Sequence, residues 1–418
     1  MLGCQPAAEP MPSVTLTLDD THPTAVIAAG DTLGGTCEMS WNWGEMEGPN
    51  TGAADSEGLW SATLLGVPAA TEVFARMDCP GGSGSEASIV TGAVPSDVST
   101  LALLGDTAPL SASPYILTTG FAENSALTIS TLAGETVWWE AIPVGAVTHP
   151  HFDPDAGVVY GIEDDTQGGV ALLVAHLTGE TERFTVDQAH HDSLALGDGR
   201  YLVITSSHRV VEGDEILGDV IVLVDTVSGV IVPVWDAFEE LEMIPNDGWD
   251  LRTAEGQADW THMNGLGRDP VTGRIYASLY FPHSIIEIDG ETWQTLNVLG
   301  GDGSDYSVDD PFGPQHSPIL AGDTLWMFDN GSEVSAGSRL AAYTLDHKAK
   351  TAELAWEWQP VDAPYTIVLG NIDVHDDVII ASWAVQGQVF MVNHQGGFLA
   401  QYEVDGATQV GLTSLISL

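Results

Sequence analysis

Four histidines occupy like places in a sequence that loosely repeats itself. His151, His191, His262 and His316 each stand at the opening of a short apolar strand pattern, and the last two lie within one polar-rich stretch, Asp259 to Gly331. Imidazole titrates near neutrality, so one ring can attack an electrophile while its neighbours donate N–H groups or carry protons. Converging imidazoles also suit zinc or copper. The chain offers no tight His-x-His or Glu-x-x-His pair on one strand for that purpose, and His149 and His151, which have chelating spacing, are interrupted by Pro150. No metal ligand and no cofactor is therefore assigned, although Ca2+ in the Asp-rich turns would suit the composition as a structural ion. The bland reading, a hydrogen-bonded or surface side chain, is kept for His22, His149, His176, His208, His283, His347, His375 and His394, and His190 is left open.

The elements that must position these rings are strands. Short apolar–polar alternations bounded by Gly, Asp and Pro run through the chain, and helix-period segments are few, so the fold class is all-β. From about residue 98 a unit recurs: an apolar strand, a turn rich in Asp and Gly, and further strands joined by Thr-Gly or Ser-Gly turns. The run His151 to Tyr160 and the run Asp269-Pro270-Val271-Thr272-Gly273-Arg274-Ile275-Tyr276 show the same turn and strand. Six such units open near Tyr115, His151, His191, His262, His316 and Asn371, and close most naturally as a six-bladed β-propeller over residues 98–418. In a propeller the first strand of each blade lines the axial channel. The opening residues of different blades then meet at one mouth of it, which would bring the four histidines together.

Residues 1–12 read as a linker, and residues 13–97 as a small β-sandwich of about seven short strands. Cys37, Trp41, Trp43 and Cys79 have roughly immunoglobulin spacing, while the segment Leu65 to Phe74 looks more like a fibronectin type III corner with Phe74 where tyrosine is usual. Such a unit would space, dock or pair two chains as a homodimer. Cys37 and Cys79 could bond, which would imply an oxidising compartment. Cys4, in Leu2-Gly3-Cys4-Gln5, looks like the end of a bacterial lipoprotein signal, although the apolar run that should precede it is missing. With 60 Asp and Glu against 10 Lys and Arg the formal net charge is −50, which excludes nucleic acid and anionic lipid as partners. No apolar run is long enough to span a membrane.

At its histidine motifs the sequence resembles the arylsulfotransferase family. The matching elements are Trp260-Thr261-His262-Met263-Asn264, Ile285 to Asp289, Leu299-Gly300-Gly301 with Ser304-Asp305-Tyr306, Gln315-His316-Ser317, Phe328-Asp329-Asn330-Gly331 and Ser338 to Tyr343, with His191-Asp192 resembling the family's earlier histidine blade. The resemblance covers roughly residues 110 to 415. It implies an exported bacterial enzyme, periplasmic or on the cell surface, that moves a sulfuryl group from an aryl sulfate to a phenol without a cofactor. It also implies that His316 is the nucleophile, that His262 and His191 hold the sulfuryl oxygens, and that Asn264 belongs to the same motif. His151 joins the substrate-binding set from its blade position. The sequence departs from the family at Tyr280, which stands where an arginine clamp is expected. A phenol brings no fixed charge, so Arg209 or His283 would have to compensate. The alternative is a non-catalytic cell-surface propeller that binds a ligand without turnover.

Overall fold

Alternation and continuous burial separate two kinds of strand. Glu38–Trp43 and Glu72–Asp78 bury every second residue, as strands with one wet face must. Ser125–Ser130, Ile275–Leu279 and Ser284–Ile288 are buried throughout, as strands covered on both faces must be. The computed structural model describes residues 12–418 other than 33–36, 45, 48–57, 80–84, 106–113, 122–124, 143–144, 165–169, 250–252, 254–255, 332–336, 363, 376, 406 and 408. Cys4 and the remainder of the 1–11 segment thus lie outside the described residues.

The alternating strands form the N-terminal unit. Ser13–Leu18, Val26–Asp31 and Leu59–Leu64 make one sheet; Met46–Glu47, Glu38–Trp43, Glu72–Asp78 and Ser85–Val90 make the other. Their inner faces share a core of Val26, Trp41, Trp43, Trp60, Leu64, Val73 and Met77. Trp41 and Trp43, two apart on one strand face, stack at 4.8 Å. The structure joins Cys37 to Cys79 as a disulfide. This unit docks on the C-terminal sheets through the Ala69 N–H, which donates to Thr136 O at 2.9 Å, and through the His22 ring against Trp138.

From Thr100 onward the described residues form six sheets, and the fold is a β-propeller. Their innermost strands are Gln409–Val410 with Ser414–Ile416, His151–Asp153, Ala189–Gly197, Met263–Arg268, Gln315–Ala321 and Asn371–His375. Several turns between adjacent strands use one device. Asp153, Asp225, Asp269, Asp289 and Asp346 each accept backbone N–H groups two or three residues ahead, which is an Asx turn.

Closure is made by both ends of the chain. Thr100–Leu103 pairs with Phe398–Asp405 at the outer edge of the last sheet, while Ser414–Ile416 and Gln409–Val410 pair with Tyr115–Phe121 at the inside of the first. A ring of polar contacts then links the inner strands in turn. Leu412 N–H donates to Thr148 O; His151 Nε2 meets Asp192 Oδ1; Leu266 N–H donates to Asp192 Oδ2. Asn264 Nδ2 donates to Gln315 O, Asn330 Nδ2 to Thr366 O, and Asn371 Nδ2 to Thr413 O. A double Cys37→Ala/Cys79→Ala variant is expected to cost the N-terminal unit about 2–4 kcal/mol through the freed 42-residue loop. Urea unfolding followed by tryptophan fluorescence would measure it, and an unchanged midpoint would refute it.

Candidate active site

The histidine-bearing inner strands share a local irregularity. Their registers with the next strand slip between Ala189 and Ser193, between Met263 and Gly265, and between His316 and Ile319. A left-handed residue lies within or directly before each slip: His191 at φ 54°, Ser317 at 52°, and His262 at 48° just ahead of Met263. Such backbone is unfavourable by about 1–2 kcal/mol for a side chain with a Cβ, and a bulge is the usual means of re-aiming one. Here the bulges turn rings that a regular strand would splay along its faces toward one another.

The result is a cluster of imidazoles. His191 and His262 lie 4.8 Å apart edge to face, and the His190 and His191 rings 5.0 Å apart. His149 lies 6.4 Å from both His191 and His316, and Tyr280 lies 5.5 Å from His262 and 5.8 Å from His316. The structure therefore brings together His191, His262 and His316, three of the four histidines at repeat openings, with Tyr280, and adds His149 and His190. The sequence pattern makes His149 structural and gives its place to His151. The displaced ring, His151, sits in an axial cavity of about 260 Å³ with Asp192, Arg268, Ser317, Asn371 and Asp373.

Hydrogen bonds fix the proton positions. Asn330 Nδ2 donates to Thr366 O at 2.8 Å and Leu369 O at 2.9 Å, so its Oδ1 is the atom facing His316 Nδ1 at 2.7 Å. An amide oxygen only accepts; His316 therefore carries its hydrogen on Nδ1 and keeps the Nε2 lone pair. Burial, with His149 nearby, lowers the His316 pKa to about 3, so the ring is neutral at ordinary pH. His149 likewise donates from Nδ1 to His191 O at 2.9 Å, and burial lowers its pKa. His191 is driven well below the usual histidine range by burial and then by His262, His190, His149 and His316.

His262 behaves oppositely. Burial disfavours its cation, but the Asp259 carboxylate, 2.6 Å from its Nδ1, more than offsets this, and the pKa is raised. His151 is also raised: Asp192, 2.6 Å from Nε2, overcomes the cost of burial. The two rings with a carboxylate partner, His262 and His151, thus hold a proton more readily than the neutral rings near them.

The remaining sequence candidates have other duties. Asn264, fully buried, ties its strand to the one bearing His316 and leaves Oδ1 without a partner. The Tyr280 hydroxyl donates to Ile367 O at 2.8 Å, and burial pushes its pKa up to about 12. Arg209 is committed elsewhere, 3.1 Å from Asp236 and 2.6 Å from Glu239, above the Phe238 ring. His283 lines a cavity of about 500 Å³ with Trp260, Phe281 and Glu242; Phe281 stands between that cavity and His262, and none of the clustered histidines lines it. Among the described residues no group of three or more His, Cys, Asp or Glu has metal-holding geometry.

The family model for arylsulfotransferase (ASST) matches residues 177–396, just over half of the chain and including His191, His262 and His316. The chain belongs to the arylsulfotransferase family. No curated protein matches this arylsulfotransferase-family chain at a significant level. Among solved structures, the nidogen/laminin complex is similar at TM-score 0.50 and 12% identity, covering 73% of this chain and 98% of that one. TolB from Acinetobacter baumannii gives 0.43 at 12% identity over 84% and 80% of the two chains. A putative 6-phosphogluconolactonase from Bacteroides fragilis gives 0.44 at 9% identity over 75% and 100%. Likeness at this identity concerns the fold alone; membership of the family rests on the sequence match.

His316 is expected to keep its neutral Nδ1–H signature in ¹⁵N-edited imidazole spectra as pH falls from 8 through 6.5 toward its value of about 3. Because the unfolded chain binds that proton more readily, His316 should also make stability rise with pH between about 3 and 6.5. Titration of this ring near 6.5 would contradict both statements.

Proposed function

We propose that the cluster transfers a sulfuryl group from a phenolic sulfate ester to a phenol through a sulfated His316. The observation that carries this is the Asn330 clamp. It leaves a neutral imidazole with its Nε2 lone pair free to attack sulfur, and once sulfated the ring retains Nδ1–H and becomes a cationic, good leaving group. Splitting the transfer into two displacements lets donor and acceptor use the site in turn.

The equatorial sulfuryl oxygens need a positive or N–H-donating partner where charge collects. With Tyr280 in the arginine place and its hydroxyl bound to Ile367 O, His262 is the group suited to this, because Asp259 favours its protonated form. His191, which resists charging, suits the proton traffic of the phenols. Asn264 acts through the strand it anchors, and His151 through Asp192, rather than on the substrate.

The Cys37–Cys79 disulfide supports an oxidising compartment, hence an exported protein, with the sandwich, of immunoglobulin or fibronectin type, as a spacer or a pairing surface for a homodimer. No described helix is long and apolar enough to cross a membrane. The loss of the fixed arginine charge favours a second reading, a ligand-binding propeller without turnover.

Incubation with 4-nitrophenyl sulfate and phenol is expected to release nitrophenol and to leave one SO₃ increment on the His316 peptide in mass spectrometry. His316→Ala should abolish both. Binding of the ester without release would establish the second reading instead. Asp259→Asn should lower kcat/KM on the order of 10²-fold. Since the raised pKa of His262 keeps its cation present until pH climbs past that value, the same change should move the alkaline limb of the pH profile to lower pH.

A further inference from the structure

We propose that His190 and Asp219 form a proton relay behind His191, taking up across the His190–His191 contact the charge that arrives when a phenol gives its proton to His191. The relay rests on sulfuryl transfer at His316 and assigns a role that this reaction leaves empty.

The two rings are neighbours in sequence and on a regular strand would point to opposite faces. The left-handed φ of 54° at His191 and the adjacent bulge instead bring them together at 86°, Nδ1 to Nδ1, at 2.8 Å. Two imidazole nitrogens at that distance share one hydrogen. On its other side His190 Nε2 lies 3.0 Å from Asp219 Oδ1, within ion-pair range; when His190 Nδ1 accepts from His191, the remaining hydrogen of a neutral His190 is on Nε2, facing that carboxylate. Asp219 is itself held: it is buried, and its Oδ2 accepts from Met263 N–H at 2.6 Å and from the Thr261 hydroxyl.

Two arrangements remain. With the shared hydrogen on His191, both rings are neutral and His191 Nε2 is a base. With it on His190, that ring is a cation against Asp219, and His191 bears its hydrogen on Nε2. One proton entering at His191 Nε2 and one crossing the 2.8 Å contact convert the first into the second. His191 cannot hold the charge itself, because it is buried among His262, His190, His149 and His316. His190 has the carboxylate.

In the acceptor step the phenol O–H breaks and its proton bonds to His191 Nε2, while the His191 Nδ1 hydrogen passes to His190 Nδ1. The phenol oxygen bonds to sulfur, the S–N bond to His316 breaks, and its electron pair returns to Nε2. The aryl sulfate gains one negative charge and His190 one positive charge. In the donor step the same two protons run backward, so that His191 protonates the departing phenoxide. His190 is accordingly a positioning and relay residue, and His191 the one that touches substrate.

The test is His190→Asn, whose Oδ1 can accept the His191 Nδ1–H but cannot take the proton over. Sulfated enzyme is mixed at about pH 8 with phenol, which must lose a proton, or with 4-nitrophenol, which is already largely ionised. The variant is expected to lose on the order of 10²-fold more on phenol than on 4-nitrophenol. Equal losses on the two acceptors, or none, would overturn the relay while leaving sulfuryl transfer intact. A wild type that never becomes sulfated would remove the underlying reading and the relay with it. Should the variant not fold, a proton inventory of the wild-type reaction with phenol in mixed H₂O/D₂O decides. A bowed plot supports two protons in flight, and a straight one overturns the proposal.

Discussion

The structure depends on a closed ring of buried polar contacts around the propeller axis. Side chains that could have been replaced by apolar ones, Asp192, Asn264, Gln315, Asn330, Asn371 and Asp373, each hold a backbone group of a neighbouring sheet. A buried amide or carboxylate left unpaired costs about 1–3 kcal/mol, so each contact selects one relative position of two sheets. Apolar packing between sheets is large but has no preferred register at the scale of an ångström. The polar ring supplies that register, and the histidines, mounted one or two residues away from these anchors, inherit it. Asp192 follows His191 directly, Gln315 precedes His316, and Asn264 lies two residues beyond His262.

The same ring explains how a chain with a formal charge of −50 can present a site for an anion. Carboxylates near the axis are spent on backbone N–H groups and on histidines. Asp259 lies against His262, Asp192 against His151, and Asp219 against His190. Each acid therefore stands behind an imidazole, and Asp259 and Asp192 raise the hold of His262 and His151 on a proton. The rings without an acid, His149 and His316, remain neutral. Rings that resist a proton and rings that hold one are thus separated by which received an amide and which a carboxylate, although all are the same residue type. Tyr280 fits this division: its ring edges pack on His262 and His316 while its hydroxyl is drawn off to Ile367.

Much of this was legible from the residues alone. Apolar alternation and Asp-Gly turns set the β class, because a strand's side chains alternate and an Asx turn needs its carboxylate at one place. The repeat openings at His151, His191, His316 and Asn371 fall in the inner strands, Tyr115 opens the second strand of a blade whose inner strand comes from Gln409 to Ile416, and Cys37 does find Cys79. The misplacement of His149 and His151 has a simple cause. His149 lies in the bend between Ala146–Val147 and His151–Asp153, outside any strand, so the strand pattern that marks His151 cannot mark it.

What the chain determined by itself was therefore periodic: strand class, sheet order and which residue types open each repeat. What only the tertiary structure decided was directional. Whether His190 and His191 diverge or meet turns on one left-handed backbone at a bulge. Whether His316 bears its hydrogen on Nδ1 or Nε2 turns on two carbonyls, of Thr366 and Leu369, that orient Asn330 from the next sheet. Proton position is set by partners tens of residues away, and no local pattern in the sequence carries that information.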